Sequence, residues 1–320
     1  ITEGIYTYDY SYDEELSFQN FSKVMYGFLP IELGIGSYGR VYLVTHNKTN
    51  KNYSLKVIDK KKLLDKQGNI DLIHNEINIH SKLNHENIIR LYNVYETEEE
   101  INIILEYASK GNLYNLIADN KIGFSEYQSY KYFVQIVNAV YFLHQNAIIH
   151  RDIKPENILL TEEGKIKLCD FGCAKEMSVE NRSTFCGTIE YMAPEIVESE
   201  KYDFGVDIWS LGIVLYELLM GYSPFKANDS KNIMVNIKKF HKLTFDNNKK
   251  LSIECQNLIK RLLEVNPQKR IKMKDILDHP FIKKYASMES DNYFHLSDNQ
   301  LYKFKHSPSH VIKGNFTINS

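Results

Sequence analysis

The chain has 320 residues, of which 43% are hydrophobic and 25% are charged. This length allows one large domain or a two-lobed one, and either would bury most of its potential surface. The formal net charge of −2 argues against a protein whose main partner is nucleic acid. The apolar run at 207–221 is too short to cross a bilayer and contains Asp207 and Glu217, so it predicts a buried helix that ends at Gly221.

The first residues of the chain predict little regular structure. Residues 1–27 are rich in tyrosine and acidic side chains and show no clear period, which indicates a weakly ordered extension. The chain opens with Ile1 rather than Met and without a secretory signal, so we expect it to be part of a longer protein. From Phe28, the β-rich runs FLPIELG, RVYLVTH and YSLKVID are separated by turn residues and predict an antiparallel sheet.

A helix is predicted next, over residues 69–83. Four of its side chains recur at spacings of four, three and four, so they share one face. They are Leu72, Glu76, Ile79 and Leu83. The runs IIRLYNVYE and INIILEYA then predict two more strands around the acidic turn TEEE.

The pattern becomes mainly helical after a hinge near 106–111. Ser125 and Gln128 form an S-x-x-Q capping box ahead of a long amphipathic run, which predicts a helix start. The predicted fold class is α+β and bilobal, with a small antiparallel β-sheet lobe that holds one key helix and a larger, mainly α-helical lobe. The predicted divisions are an N-terminal extension, the small lobe, the large lobe and a C-terminal tail: 1–27, 28–107, 108–285 and 286–320.

The run GIGSYGRV, at residues 34–41, matches the pattern G-x-G-x-x-G-x-V. A glycine-rich hairpin turn gives the same letters, and in a dinucleotide-binding fold the third glycine would open a helix. Here RVYLV follows Gly39 and predicts a strand. This context favours a strand–loop–strand flap that lies over phosphates.

Lys56 lies within the apolar strand YSLKV, 17 residues after Gly39. A lysine that faces inward there is costly unless it meets an anion. Glu76, on the buried-looking face of the next helix, is a candidate partner, and so is a phosphate. The alternatives are a lysine that snorkels at a strand edge and a glutamate that pairs with His80 on the helix surface.

The run HRDIKPENILL, at residues 150–160, concentrates polar side chains between two apolar runs. Burying such a group without a partner costs about 1–3 kcal/mol. A purely structural buried network is one interpretation of this run. A catalytic loop, whose charges are matched by substrate, metal and partner side chains, is the other.

From about residue 28 to 285 the chain resembles the eukaryotic protein kinase superfamily, which has the bilobal fold described above. The motifs that carry the resemblance are GIGSYGRV, Lys56, Glu76, HRDIKPEN, DFG at 170–172, APE at 193–195, D-x-W-S-L-G at 207–212 and Arg270. This resemblance favours the catalytic interpretation of residues 150–157. It also implies that Asp207 and Trp209 organise the catalytic loop, and that Glu195 pairs with Arg270.

The resemblance implies phosphoryl transfer, a reaction that depends on positioning and on neutralising charge. Asp152 would accept or orient the proton of the substrate hydroxyl, and Lys154 would lie beside the transferring phosphoryl group. Asn157 and Asp170 would hold Mg²⁺ through oxygen ligands. The implied catalytic residues are Asp152, Lys154, Asn157, Lys56, Glu76 and Thr188.

ATP is the implied nucleotide. Apolar side chains would sandwich its adenine, hinge backbone groups would bond the adenine edge, and Leu105 would guard the pocket behind it. The implied nucleotide-binding residues are Leu33, Gly34, Gly36, Ser37, Gly39, Val41, Ser54, Lys56, Leu105, Glu106, Ala108, Leu159 and Asp170. Ser54 stands where family members usually carry alanine. For the apolar members of this set, plain core packing is the alternative.

The resemblance also bears on the substrate. Lys154 in HRDIKPEN is the serine/threonine form, and Thr188 takes the position that bonds Asp152 and Lys154 in such kinases. Glu156 and Glu217 occupy positions that bind arginine two residues before the acceptor in basophilic relatives, and paired carboxylates suit an arginine fork. We therefore expect protein substrates with Ser or Thr near basic residues. The alternative is that Glu217 only satisfies its own helix environment.

Control is expected in the activation segment, residues 170–195. Thr184 lies four residues before Thr188, the spacing at which the family is phosphorylated. A phosphate on Thr184 would order the segment through charge-assisted bonds to Arg151 and Lys175, for which the sequence offers no obvious acid partner. An unmodified, solvent-exposed Ser/Thr pair is the alternative.

The four cysteines, at 169, 173, 186 and 255, have neither metal-like spacing nor disulfide density. This pattern predicts a reducing, intracellular compartment, cytoplasmic or nuclear. We expect the three cysteines in and beside the activation segment, Cys169, Cys173 and Cys186, to be inert thiols. Redox control is the alternative, and it would need a lowered thiol pKa.

Within the superfamily, the runs IILEYASKGNLY, HRDIKPENILL, RSTFCGT and LDHPFI are most similar to Aurora-type mitotic kinases. Polo-type kinases of the centriole branch and calcium-dependent kinases are alternatives, although the chain has no D-x-[DN]-x-[DN]-G calcium loop. The Aurora pattern normally has Trp after DFG and Pro-Pro-Glu, whereas this chain has Cys173 and Ala-Pro-Glu. These departures weaken the subfamily assignment and any inferred role in the cell cycle.

A second functional class is a kinase-fold scaffold, or pseudokinase, that binds partners without turning over ATP. The intact Lys56, Asp152 and Asp170 disfavour it. We expect a monomeric catalytic domain without membrane insertion. An activator could dock on the small lobe, and the terminal extensions could pack there through Phe294 or Phe304.

Overall fold

The first part of the chain forms an antiparallel sheet, as predicted. The structure, a computed structural model, describes residues 18–23, 25–26, 29–36, 39–65, 70–177, 186–227, 229–240, 243–246 and 248–288. The strands of this sheet are β1 (Phe21–Lys23), β4 (Glu32–Ile35), β5 (Gly39–His46), β6 (Asn52–Asp59), β7 (Leu91–Glu96) and β8 (Glu100–Glu106). Their order is β1-β5-β6-β8-β7, and β4 pairs with the same strand β5 as β1 does. A separate two-stranded ladder joins β2 (Met25–Tyr26) to β3 (Leu29–Pro30).

The sheet begins earlier in the chain than residue 28. Phe21 is paired in register with His46, at the end of β5. Its ring lies 5.2 Å, centroid to centroid, from the rings of both His46 and Tyr53. This aromatic cluster fixes β1 on the sheet, so part of the predicted extension belongs to the folded small lobe.

The predicted helix of the small lobe is α2 (Ile70–Ser81), which follows the short α1 (Lys60–Asp65). The buried face differs from the prediction at one position. Glu76, Ile79 and Leu83 are buried as predicted, whereas Leu72 is 61% exposed. Ile73, the next residue, is buried instead, and Ile77 and His80 widen the face that packs on the sheet.

Helices dominate the rest of the described chain, as predicted. They are α3 (Leu113–Asp119), α4 (Glu126–Gln145), α5 (Pro194–Val197), α6 (Gly205–Met220), α7 (Ser230–Lys238), α8 (Ile253–Leu262), α9 (Met273–Leu277) and α10 (Pro280–Ala286). The side chain of Ser125 accepts a hydrogen bond from the N–H of Gln128, so the predicted cap starts α4. Helix α6 is buried almost throughout and ends at Gly221, as predicted. Nothing among the described helices is long and apolar enough to span a membrane.

Short strands and turns connect these helices at the face toward the sheet. They are β9 (Ile148–Ile149), β10 (Ile158–Leu160), β11 (Ile166–Leu168) and β12 (Lys175–Glu176). Strand β10 pairs with β11, and β12 pairs with β9. The large hydrophobic core around α4 and α6 lies directly beneath them. These short elements place the HRDIKPEN and DFG segments at the edge of a rigid core.

Candidate active site

A buried ion pair links the sheet to helix α2. The ammonium of Lys56, on β6, lies 2.7 Å from Glu76 Oε1, so the predicted pairing is present. Glu76 is only 6% exposed. Burial lowers the pKa of the Lys56 ammonium, but the charges of Glu76 and Asp170 more than reverse this effect, and the pKa is raised above 10.5. Lys56 is therefore a fixed cation that faces the Asp170 carboxylate.

Asp207, on α6, bonds the start of the HRDIKPEN segment, the predicted catalytic loop. Its carboxylate accepts from the main-chain N–H of His150 at 3.0 Å and from that of Arg151 at 2.8 Å, and His144 Nε2 lies 2.8 Å away. Arg151 has a φ of 66°, a conformation that side-chain-bearing residues rarely adopt. Burial raises the pKa of Asp207, but its bonds to His144 and the loop lower it further than burial raises it. The ionised carboxylate thus offsets the strain of the loop.

Asp152, Lys154 and Thr188 form one hydrogen-bonded cluster. Asp152 Oδ1 accepts from the N–H of Thr188 at 2.8 Å and from its hydroxyl at 2.9 Å. Lys154 Nζ donates to Asp152 Oδ2 at 2.8 Å and to Thr188 Oγ1 at 2.6 Å. Burial raises the pKa of Asp152, but these bonds lower it further, so the net direction is below the usual value. Asp152 is consequently a carboxylate with oriented oxygens and low basicity.

The DFG segment follows Cys169, whose N–H donates to the main-chain oxygen of Asn157 at 2.9 Å. Asp170 is exposed and has a φ of 64°. The side chain of Phe171 points the other way and is buried, with its ring centroid 4.6 Å from that of His80 and 5.2 Å from that of His150. Packing of Phe171 between α2 and the catalytic loop leaves the Asp170 carboxylate on the side of Lys56.

Asn157 and Asp170 fit the chemistry of a magnesium site. The amide nitrogen of Asn157 donates to the main-chain oxygen of Asp152 at 2.9 Å and to its Oδ2 at 3.0 Å, which leaves Asn157 Oδ1 for a cation. Within the described ranges, no group of three or more His, Cys, Asp or Glu side chains could hold a metal ion. Mg²⁺ does not require such a group, because it is usually bound by one or two carboxylates together with substrate phosphates.

The glycines of the motif lie at the end of β4 and at the start of β5. The N–H of Gly36 donates to the main-chain oxygen of Gly39 at 2.8 Å. A Cβ on Gly39 would lie 1.8 Å from the main-chain oxygen of Val57, so only glycine fits there. Added Cβ atoms on Gly34 and Gly36 meet no such obstruction. Ser37 lies outside the described residues.

The predicted adenine-binding residues occupy β4, β5, β6, β8 and β10 and the hinge. Ser54 pairs in register with Leu105 across β6 and β8. The N–H of Glu106, at the end of β8, donates to the main-chain oxygen of Arg90 at 2.8 Å. The predicted apolar and hinge members, Leu33, Val41, Leu105, Glu106, Ala108 and Leu159, are at least partly accessible.

Sequence reasoning missed a contact that anchors this hinge. Lys167, on β11, lies 2.7 Å from Glu106 Oε1, and Glu106 Oε2 accepts from the N–H of Arg90 at 3.1 Å. Lys167 is only 9% exposed. The available signal was a lysine inside the apolar strand KIKL, the same type of signal that identified Lys56.

Glu156 and Glu217 lie in one acidic pocket. Glu217 is 8% exposed and accepts from the hydroxyl of Tyr191 at 2.9 Å. Burial raises its pKa to about 8, and the charges of Glu190 and Glu156 act in the same direction. Oε2 of Glu156 is buried and has no hydrogen-bond partner among the described residues. Sequence reasoning identified the two predicted carboxylates but missed Tyr191 and Glu190.

Glu195 and Arg270 form the predicted buried ion pair. Arg270 Nη1 and Nη2 bond the two carboxylate oxygens at 2.7 and 3.0 Å. Trp209 does not serve the catalytic loop through a described contact. It stacks on Phe225 at 5.6 Å, and the guanidinium of Arg270 lies 5.3 Å from its ring centroid. Trp209 therefore supports the ion pair that anchors the end of the activation segment.

The activation segment differs from the prediction at its cysteines. Cys173 and Cys186 form a disulfide, with their Cα atoms 5.9 Å apart, so the prediction that Cys169, Cys173 and Cys186 are inert thiols is wrong for this pair. Arg151, which we predicted to bind a phosphate on Thr184, makes two hydrogen bonds to uncharged groups. Its Nε donates to the main-chain oxygen of Cys173 at 2.6 Å and its Nη1 donates to the hydroxyl of Tyr202 at 2.8 Å. Thr184 lies outside the described residues.

Comparison with known proteins agrees with this geometry. The family model for the protein kinase domain matches residues 30–282. An Aurora kinase of Dictyostelium discoideum is 40% identical over 260 residues, which cover 81% of this chain and 66% of that protein. An Aurora kinase of Schizosaccharomyces pombe is 41% identical over 254 residues, which cover 79% of this chain and 70% of that protein.

The similarity extends to another serine/threonine kinase group. The CBL-interacting serine/threonine-protein kinase 12 of Arabidopsis thaliana is 39% identical over 257 residues, which cover 79% of this chain and 51% of that protein. The chain thus spans about two thirds of these two Aurora kinases and about half of the plant kinase. The chain belongs to the protein kinase domain family, and it is a protein serine/threonine kinase of the Aurora type.

Proposed function

We propose that the chain transfers the γ-phosphoryl group of ATP to Ser or Thr residues of proteins, with a preference for arginine two residues before the acceptor. The observation that carries the preference is the acidic pocket of Glu156 and Glu217. Burial keeps the carboxyl group of Glu217 largely neutral, although the charge of Lys226 acts against this, and Oε2 of Glu156 has no hydrogen-bond partner among the described residues. A guanidinium can donate to both groups at once.

The reacting groups would be positioned by the cluster around Asp152. Asp152 orients the acceptor hydroxyl, because its oxygens are fixed by Thr188 and Lys154. Its low basicity suits the loose transition state of phosphoryl transfer, in which little proton transfer is needed before the phosphoryl group moves. Lys154 would stabilise negative charge on the phosphoryl group.

Nucleotide binding would use both lobes. Lys56, held by Glu76, would contact the α- and β-phosphates, and the glycine motif would cover them. Asn157 and Asp170 would hold Mg²⁺, which neutralises phosphate charge when it is bound. The carbonyl of Glu106 and the backbone of Ala108 would bond the adenine edge.

Peptide kinetics test the arginine preference. Two peptides that differ only in Arg or Ala at the position two residues before serine are assayed with the wild type and with Glu217→Gln. We expect the wild type to favour arginine by about 10- to 100-fold in kcat/KM, because a charge-assisted bond is worth about 1.5–3 kcal/mol.

Glu217→Gln should remove most of this ratio and leave the alanine peptide nearly unchanged. The matched control is Glu200→Gln, which removes an exposed carboxylate after α5 and should keep the ratio. Equal kcat/KM for the two peptides with the wild type would reject the arginine pocket.

We also propose that phosphorylation of Thr184 activates the enzyme, since a phosphate there would attract the guanidinium of Arg151. The proposed setting is intracellular, cytoplasmic or nuclear, with a monomeric catalytic domain and an activator on the small lobe. A radiolabelled-ATP assay on a basic peptide, with Asp152→Asn as the control, separates the enzyme from a kinase-fold scaffold. Incorporation of label that Asp152→Asn does not reduce would reject the proposed role of Asp152.

A further inference from the structure

We propose that Cys173 and Cys186 are a reversible redox site whose oxidation holds residues 187–188 against the catalytic loop. The inference rests on the proposed function for one point, the role of Asp152 and Thr188 in phosphoryl transfer. The structural evidence for the inference is the disulfide and the contacts that the residues at both ends of this bond make with the loop at 150–157.

The disulfide joins two segments that are separate in sequence. Cys173 follows the DFG motif directly, and Cys186 comes two residues before Thr188. The two cysteines are 13 positions apart in the sequence, and the bond between them closes a loop. Both cysteines are only half-buried, so small soluble thiols and disulfides can reach them.

Both ends of the bond contact the catalytic loop. On one side, the main-chain oxygen of Cys173 accepts from Arg151 Nε at 2.6 Å. On the other side, Gly187 has a φ of 107° and packs so closely that an added Cβ would lie 2.3 Å from the main-chain oxygen of Arg151. The next residue, Thr188, donates two hydrogen bonds to Asp152. The disulfide therefore connects two contacts on the same short stretch of backbone.

Oxidation should favour the conformation in which residues 187–188 contact Arg151 and Asp152, because it excludes conformations in which they separate. A covalent bond across a loop of this size excludes conformations in which the two segments separate, and the loop-closure entropy corresponds to roughly a hundredfold shift in equilibrium. Reduction restores those conformations, and Thr188 can then leave Asp152 more often. A restraint of this kind would act most strongly in enzyme that lacks phosphate in its activation segment.

Glutathione disulfide can serve as the oxidant that forms the Cys173–Cys186 bond by thiol–disulfide exchange. One cysteine thiolate attacks a sulfur of glutathione disulfide, which forms a mixed disulfide and releases one glutathione. The second cysteine thiolate then attacks the protein sulfur of the mixed disulfide, forms the Cys173–Cys186 bond and releases a second glutathione. Two protein thiols lose two electrons and two protons, and glutathione disulfide gains both. An excess of glutathione or dithiothreitol reverses the reaction.

The other two cysteines are poorly suited to this exchange. Burial raises the pKa of Cys169 to about 12, which leaves almost no thiolate at neutral pH. Cys255 is a buried residue of α8, and burial raises its pKa as well. Cys255 therefore provides the matched control variant.

The test uses the full chain after phosphatase treatment, equilibrated with glutathione disulfide or with dithiothreitol. Thiol alkylation and mass spectrometry report the bond, and hydrogen exchange of the Thr188 amide reports the contact with Asp152. We expect Thr188 exchange to slow at least about tenfold in the oxidised protein, and kcat/KM for a basic peptide to rise by a similar factor. Cys173→Ser and Cys186→Ser should each abolish the redox response of both measurements, whereas Cys255→Ala should retain it.

The outcomes separate this inference from the proposed function. Failure of the bond to form, equal exchange in the two conditions, or a response that survives Cys173→Ser would overturn the redox site. Two serine variants are used so that misfolding of one does not remove the test. The wild type in dithiothreitol supplies the reference for a folded, reduced enzyme. Slower exchange without any change in kcat/KM would support the redox site and would instead contradict the role assigned to Thr188.

Discussion

Replacing Glu217 by glutamine should stabilise the free enzyme, and the gain should grow as pH rises. In the folded chain, burial raises the pKa of this carboxyl from 4.5 to about 8. Below pH 4.5 the group is neutral in the folded and unfolded chains alike. As pH increases toward 8 the unfolded chain releases the proton first, so the wild type loses stability until the folded carboxyl also ionises.

The difference between the folded and unfolded pKa values of Glu217 sets the size of the stability loss in the wild type. Each pH unit between the unfolded and folded pKa values is worth about 1.4 kcal/mol, so the full deficit of the wild type is roughly 3–5 kcal/mol at alkaline pH. Glutamine carries no charge at any pH, and its amide oxygen can still accept from the hydroxyl of Tyr191, as Glu217 does. For a chain of this size, the deficit corresponds to roughly 5–10 °C in Tm.

Thermal unfolding of the wild type and Glu217→Gln, followed by circular dichroism at about pH 5 and about pH 9, measures this effect. The Tm difference should be small at the acidic pH and should favour the variant at the alkaline pH. Glu200→Gln, which changes an exposed side chain, should show no such dependence. A Tm gain of the same size at both pH values, or a loss at alkaline pH, would refute the reasoning.

Three further predictions concern other parts of the site. Asp152→Asn should lower kcat by about 10²- to 10⁴-fold while a fluorescent nucleotide still binds within about twofold of the wild type, and lost nucleotide binding would contradict a role confined to the acceptor. Arg270→Met should destabilise the fold by about 3–5 kcal/mol in urea, because Glu195 is left as an unpaired buried charge, and adding Glu195→Gln should recover part of the loss. Thr184→Ala should lower peptide phosphorylation by at least about tenfold, and unchanged activity in protein shown by mass spectrometry to be otherwise identical would exclude the switch.

The centre of the site was predicted from the free-energy cost of burying an unpaired charged side chain. A lysine inside an apolar strand and a glutamate on a helix face each need a partner, and Lys56 and Glu76 provide it for each other. The helix face itself was misassigned at Leu72, because Leu72 and Ile73 are adjacent apolar residues. Which of the two faces inward depends on the position of the sheet, and the helical period alone does not contain that information.

Contacts between distant segments were predictable only through the family resemblance. Glu156 and Glu217 lie 61 positions apart, and no periodicity connects them. The residues that complete their pocket, Tyr191 and Glu190, come from a third segment. The Cys173–Cys186 bond was not predictable from either source, since the pairing of cysteines depends on how two loop segments are placed in the fold.

The position of β1 affects where the chain can be shortened. The family match starts at residue 30, yet the backbone of β5 at 44–46 already pairs with residues upstream of that point. A protein trimmed to the family match would leave this stretch as an open edge and would remove one of the aromatic rings that cover Tyr53. Open edges of sheets recruit other chains. A shortened chain that folds without self-association should therefore begin at or before Phe21.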